Sequence, residues 1–241
     1  MHSGFIVAHT YMHRAVTSIG RRTIGVFQRL SKETDTSMPV RSPRVRVLRR
    51  LGTQLPGLTS KTADRRPLPP GDHGAKTTRR RHSALRIRLD EKQKVRFNYG
   101  VTEGQMERYL ATARALPGNT GESLLTLLER RLDNVVFRLG FARTIPAARQ
   151  LISHGHIRVG DQRVDRPSYL LDTGETISLG TRARERESLR AVAEKGPSLR
   201  LPSYLLRDPD DVCSGRVIAM PARADVPFPV TEALIIEFYA R

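Results

Sequence analysis

Charge is spread so unevenly along this chain that it divides the sequence before any motif is read. The 45 residues from 38 to 82 carry 12 Lys and Arg against 2 Asp and Glu, which is +10 of the net +18 of the whole 241-residue chain. A stretch with that much like charge and little apolar patterning has no core of its own to collapse onto. Residues 121 to 241, by contrast, balance 18 basic against 16 acidic side chains and have the composition of ordinary globular protein.

A basic arm on a nearly neutral body calls for a polyanionic partner, and nucleic acid is the first candidate. Trp is absent and aromatics are sparse, so the core is expected from Leu, Val, Ile and Ala. The single cysteine, Cys213, excludes an internal disulfide framework and any Cys-based zinc site, and a reducing compartment fits it best. No apolar run approaches the roughly 20 residues that cross a bilayer, so no membrane role is expected.

The first 32 residues contain no acid but hold Arg14, Arg21, Arg22, Arg29 and Lys32. That composition suits an organellar transit peptide. It equally suits an upstream extension whose true start is Met38, because Met38-Pro39 opens a segment of different character. Residues 1 to 38 are therefore set apart from the fold. Residues 39 to 83 read as the arm. They begin by alternating Arg with Val and Leu (Arg44, Arg46, Arg49 and Arg50), turn Pro- and Gly-rich, and end on Arg79-Arg80-Arg81. Proline removes backbone donors and glycine adds unfolded-state entropy, so little regular structure is expected here without a partner.

Helical periodicity begins at Leu85. Thr102-Glu103-Gly104-Gln105 has the form of a capping box, with Met106, Tyr109, Leu110 and Ala113 on one face and Pro117-Gly118 as the stop. Leu124, Leu127, Leu128, Leu132, Val135, Val136 and Leu139 predict one further helix, closed by Gly140. Thr144 is placed to cap a short helix from Pro146 to Ser153. Two short β runs, 156 to 159 and 162 to 164, flank a Gly160-Asp161 turn, and a third covers 175 to 179. Arg182 to Lys195 reads as a charged helix, Leu201 to Pro229 as turn-rich, and 232 to 239 as an apolar run that docks on the helical part. The class is α+β: a mainly helical domain (84–127), a module of two helices and a small antiparallel sheet (128–190), and a returning C-terminal segment (191–241).

On the predicted helix Leu124 to Leu139, Arg131 and Arg138 are seven residues apart and share a face. Arg143 and Thr144 mark the start of the next helix, which carries Arg149 and Gln150. Guanidinium forks beside a helix N-terminus suit phosphate, although solvated charges on amphipathic helices have the same pattern. On the phosphate reading, Arg138→Ala or Arg149→Ala weakens RNA binding and leaves the fold intact. His154-Gly155-His156 reads as a metal pair, as loop imidazoles facing RNA, or as plain turn residues. The missing carboxylate or thiolate partners disfavour metal, and Gly155 permits close backbone approach. Arg158 follows on the first strand. Lys92, Lys94 and Arg96 surround Phe97 and Tyr99 in a stretch that suits RNA through charge and stacking, yet rings of this kind are more often core. Only the cations are carried forward as contacts.

Catalytic signatures are missing. There is no Gly-rich phosphate loop, no Gly-x-Ser-x-Gly elbow and no His-Glu-x-x-His, and Cys213 lies among acids that oppose a thiolate. No enzyme activity and no cofactor are expected. An RNA-modifying enzyme that uses the module as a tether would need a catalytic domain larger than the roughly 60 residues after Gly180.

The run Leu128-Glu129-Arg130-Arg131-Leu132-Asp133-Asn134-Val135-Val136-Phe137-Arg138-Leu139-Gly140, continuing through Thr144 to Ile152, closely resembles the RNA-binding module named after bacterial small-subunit ribosomal protein four. Arg46 to Gly52, Leu55-Pro56-Gly57-Leu58, Pro69 to Gly74, Glu91 to Gly100 and the ending Glu237-Phe238-Tyr239-Ala240-Arg241 extend the resemblance to that ribosomal protein family over about residues 39 to 241. The resemblance implies a primary binder of small-subunit rRNA that nucleates assembly of the subunit body. It implies a place beside small-subunit protein five, near where mRNA enters, with influence on translational accuracy. Its fold would be a helical domain with the module-bearing domain inserted before the C-terminal segment returns. Some members hold zinc with a Cys cluster in the arm; this arm has no Cys, which marks a zinc-free form. Residues 1 to 37 match nothing in the family, so the ribosome is cytoplasmic, or that of a plastid or mitochondrion if they are a transit peptide.

Overall fold

The arm is the first departure from expectation. The computed structural model describes residues 43–71, 73–74 and 82–240, which lie within the unit Thr36–Arg241; the extension and Arg79, Arg80 and Arg81 lie outside the described residues. Arg44–Leu51 forms a helix, α1, with Val47, Leu48 and Leu51 buried. Leu55 and Leu58 follow them into the core. The Gly57 amide donates to Asn98 Oδ1 at 3.0 Å, and its carbonyl accepts from the Ile145 amide at 2.8 Å. Charge dominates the composition of this stretch, but the Val and Leu between the arginines make a helical stripe that the rest of the fold covers.

Helix α2, Ala84–Tyr99, starts under Ser83, whose side chain accepts from the Arg86 amide at 3.3 Å. Helix α3, Glu103–Ala115, has the capping box: Thr102 Oγ1 accepts from the Gln105 amide at 3.3 Å, and Gln105 Oε1 accepts from the Thr102 amide at 2.9 Å. Met106, Tyr109, Leu110 and Ala113 are all buried, as their spacing predicts. Helix α4 covers Thr120–Glu129 and packs on α3.

The apolar series from Leu124 to Leu139 is two helices rather than one. After α4 ends at Glu129, Arg131 has extended backbone (φ −64°, ψ 138°) and helix α5 runs from Leu132 to Arg138. The amides at the break bond across the fold, Leu132 to the Tyr169 carbonyl at 2.8 Å and Asp133 to the Pro167 carbonyl at 3.1 Å. The Leu171 amide returns to the Arg130 carbonyl at 3.0 Å. A loop distant in sequence thus satisfies the donors that a continuous helix would have used, and local periodicity carries no trace of it. Helix α6, Ile145–Ser153, packs on α5 and has Thr144 as its cap, with Thr144 Oγ1 accepting from the Ala147 amide.

The sheet is larger than expected. β1 (Ile157–Val159), β2 (Gln162–Arg163) and β3 (Thr176–Leu179) fall on the three predicted runs, but β4 (Leu205–Arg207) and β5 (Ser214–Val217) arise within the turn-rich segment. All pairings are antiparallel, in the order β2-β1-β3-β5-β4. Ile157, Val159, Ile177, Leu179, Leu205 and Val217 are buried. The charged helix splits into α7 (Thr181–Arg184) and α8 (Glu187–Lys195). The last helix, α9 (Glu232–Tyr239), packs on α2 and α4 and buries Ile235. The C-terminal segment is therefore shared between the helical part and the sheet.

Gly140, which separates α5 from α6, is fixed by two constraints at once. Its φ is +86°, and a Cβ there would overlap the Gly196–Pro197 backbone, 2.5 Å from Gly196 C. A left-handed alanine costs about 1–2 kcal/mol and overpacking against rigid backbone about 1–3 kcal/mol more. Gly140→Ala is expected to lower unfolding stability by the sum of these, measured by urea titration, whereas Gly104→Ala, with open space around it, should not lower stability.

Candidate nucleic-acid interface

Most of the motif's arginines point into the protein. Asp133, fully buried at the start of α5, is the centre of a network. Its Oδ1 accepts from Arg131 Nε at 3.0 Å and from the Asn134 amide at 2.9 Å. Its Oδ2 accepts from Arg131 Nη2 at 2.7 Å and from Arg149 Nε at 2.8 Å. Arg131 Nη1 donates to the Tyr109 hydroxyl at 2.6 Å. Arg149 reaches the end of α2, where Nη1 donates to the Gly100 carbonyl at 2.6 Å and Nη2 to the Tyr99 carbonyl at 3.3 Å. Burial pushes the Asp133 carboxyl up, but Arg131 and Arg149 outweigh it and hold the group below its usual range.

Glu129, also fully buried, accepts from the Tyr99 hydroxyl at 2.5 Å, the Tyr204 hydroxyl at 2.8 Å and Asn134 Nδ2 at 2.8 Å. Burial raises its pKa against the opposing pull of Arg138 and these donors, and burial together with Glu129 raises both tyrosines. Arg138 Nη2 donates to the Asp225 carbonyl at 2.7 Å. These two carboxylates therefore tie α2, α3, α4, α5 and α6 to the residue that leads into β4.

This corrects the expected phosphate face. Arg131, Arg138 and Arg149 are 0, 5 and 8% exposed; Arg131 and Arg149 donate to internal acceptors, and Arg138 does so through Nη2 while its Nε is buried without a hydrogen-bond partner. Arg131 and Arg138 share no helix, because the chain breaks between α4 and α5. The N-terminus of α6 is also occupied: its first amide goes to the Gly57 carbonyl, and the buried Thr144 hydroxyl caps Ala147. Lys92 is withdrawn as well. It is buried, donates to Glu103 Oε1 at 2.8 Å, and lies 4.1 Å from the Phe238 ring centroid. Lys94 and Arg96 stay half-buried in ion pairs with Glu91 (2.6 Å) and Glu103 (3.0 Å). Burial opposes ionisation of Glu103, but Lys92, Tyr239 and Arg96 lower its pKa overall. Tyr99 is core, and Phe97 lies between the guanidinium groups of Arg50 and Arg96 at 5.6 and 5.7 Å. Burial, with Asp211 adding to it, raises the Cys213 thiol, contrary to what a nucleophile needs.

The exposed cations gather elsewhere. His154, Gly155, His156, Arg158, Arg163, Arg182 and Arg186 line a cleft of about 420 Å³ with Gly180, Thr181 and Ala183, and none of these lining residues is acidic. Three elements build it. Helix α6 delivers His154, the β1–β2 hairpin sets Arg158 directly opposite Arg163, and the α7–α8 turn brings Arg182 and Arg186. Gly155 (φ +70°) leaves room for the Arg163 guanidinium, which a Cβ there would overlap. The two imidazoles meet edge to face at 6.1 Å. Partial burial, then Arg186, His154 and Arg163, lower the His156 pKa. Among the described residues no group of His, Cys, Asp and Glu is arranged to hold a metal ion.

Of the residues named from sequence, His154, Gly155, His156 and Arg158 thus meet in one place. Arg143 and Gln150 are exposed near or on α6, and Arg44, Arg46 and Arg50 are exposed on α1. Arg49 donates through Nε to the Leu68 carbonyl. Arg163, Arg182 and Arg186 were missed. The hairpin register gave a signal for the first, since a two-residue turn at Gly160-Asp161 makes 158 and 163 cross-strand partners; the other two needed the tertiary fold.

Comparison with known proteins gives the class. Residues 39–129 match the ribosomal protein S4/S9 N-terminal domain, and residues 130–177 match the S4 domain, so the two lie end to end. The small ribosomal subunit protein uS4 of Rippkaea orientalis is 50% identical over 201 residues, which is 83% of this chain and 97% of that protein. The uS4B protein of Nitrosomonas europaea is 46% identical over 198 residues (82 and 96%), and uS4 of Nostoc punctiforme is 49% identical over 201 (83 and 97%). This chain belongs to the uS4 family of small ribosomal subunit proteins.

Proposed function

We propose that this chain is a structural constituent of the small ribosomal subunit that binds small-subunit rRNA, and that it does no chemistry of its own. The cleft carries this reading. Four guanidinium groups and two imidazoles converge there with no acid among them, on rigid elements, as phosphate recognition requires. Gln150, one turn before His154 on α6, is exposed beside it, and Arg46 and Arg50, one turn apart, add a second cationic face on α1, with Arg44 exposed at its start. Two positively charged areas on one folded body suit the bends of a folded RNA better than a single straight duplex. Family membership supports the wider role: early binding that organises the subunit body, a position beside small-subunit protein five near where mRNA enters, and an influence on accuracy. The ribosome is the cytoplasmic one, or an organellar one if residues 1–37 are a targeting segment.

A filter-binding titration at physiological salt tests the reading. Tight binding to small-subunit rRNA, and weak binding to unrelated duplex RNA of equal length, is the expected result. Equal affinity for the two would overturn it.

A further inference from the structure

Seven large hydrophobic side chains are exposed among the described residues, and four of them, Leu206, Val212, Ile218 and Met220, fall within 15 residues around β4 and β5. Leu206 opposes Arg216 across the ladder, and the Ile218 amide donates to the Tyr204 carbonyl at 2.9 Å. That register makes Leu206 and Ile218 diagonal neighbours, within roughly 7–8 Å. Each keeps about half its surface open, 53 and 47%, and β4 is the outermost strand of the sheet. The cations nearby are engaged. Arg216 Nε donates to Thr176 Oγ1 at 3.2 Å, and Arg207 turns back to the Ala193 and Val212 carbonyls.

The loop that closes this hairpin is acidic: Asp208-Pro209-Asp210-Asp211. Asp211 pairs with Arg184, but Asp208 and Asp210 are exposed and form no ion pair among the described residues. One sheet thus ends in Arg158 and Arg163 at β1 and β2, and in an exposed apolar pair on a hairpin closed by an acidic loop at β4 and β5. Phosphate is drawn to the first end, whereas at the second the carboxylates of Asp208 and Asp210 offset the charges of Arg207 and Arg216. An apolar centre with a charged rim is the make-up of a protein interface, and clustered exposed apolar side chains of this kind mark one.

We propose that the β4–β5 edge is a docking surface for a neighbouring protein of the particle that presents a basic, partly apolar segment. The proposal rests on the ribosomal reading above. It gives the two ends of the sheet different partners, rRNA at one and protein at the other.

Photo-crosslinking residues placed at 206 and 218 of the full chain, in assembled small subunits, test it. The expected result is a crosslink from both positions to one protein, through a peptide with excess Lys and Arg. Crosslinks to rRNA, or none from either position, overturn the inference alone. Leu206→Asp with Ile218→Asp should leave affinity for naked small-subunit rRNA within twofold and reduce crosslinking to that protein from Met220 at least tenfold; unchanged crosslinking also overturns it. A chain that fails to enter small subunits at all overturns the ribosomal reading, and this inference with it.

Discussion

Asp133→Asn is expected to lower the unfolding free energy by about 3–5 kcal/mol, the usual cost of removing one partner from a buried ion pair. The carboxylate receives two guanidinium groups, both almost completely buried, within 3.0 Å. Asn keeps the shape but loses the charge, leaving Arg131 and Arg149 desolvated without compensation. The exposed Asp165→Asn serves as control and should stay within about 0.5 kcal/mol. The pH dependence separates lost charge from lost packing. Asp133 has a depressed folded-state pKa, so its contribution is present above the unfolded value of about 3.9 and fades as pH falls through the folded one. The gap between native and variant chains, large in urea titrations at pH 7, should therefore narrow below about pH 4. Glu129, raised instead of lowered, titrates in both chains and cancels in the difference. A gap that stays constant down to pH 2 would show that shape, not charge, sets the cost.

Arg158→Glu with Arg163→Glu is expected to weaken binding to small-subunit rRNA on the order of 100-fold or more at physiological salt, taking about 1–3 kcal/mol for each contact. The two side chains are cross-strand partners at the cleft, and reversing both replaces attraction with repulsion at one point of contact. Salt gives the sharper readout. Each lost phosphate contact flattens the slope of log affinity against log salt by about 0.7–0.9, so the double variant should be shallower by roughly 1.4 to 1.8. Arg149→Ala should behave in the opposite way, with reduced stability and an unchanged salt slope, because its donors are spent on Asp133, Gly100 and Tyr99. A flattened slope for Arg149→Ala and none for the cleft variant would move the RNA face back onto the buried motif.

That contrast shows what the sequence carries. The capping box at Thr102, the Thr144 cap and the three strands of the module depend on neighbours a few residues apart, and they are found where local rules place them. Arg131, Arg138 and Arg149 are different. Their partners lie on other elements, and an arginine beside Leu and Val looks the same whether it faces water or a buried carboxylate. The helix break at Arg131 depends on carbonyls of Pro167 and Tyr169, and β5 on pairing with β3 across more than 30 residues, with β4 joined to the sheet through β5. Nothing within a helical window encodes these. The same blindness hid α1 behind its charges and hid Arg182 and Arg186 from the cleft.

Helix α9 also bears on the timing of synthesis. It packs against α2, and roughly 130 residues of chain separate them. At about 5–20 residues per second, α2 waits on the order of 7 to 26 seconds for that cover while the nascent chain lengthens. Arg44, Arg46 and Arg50 emerge before either helix. A cationic segment is thus in solution well before the body behind it can close, and any polyanion within reach meets an unfinished protein.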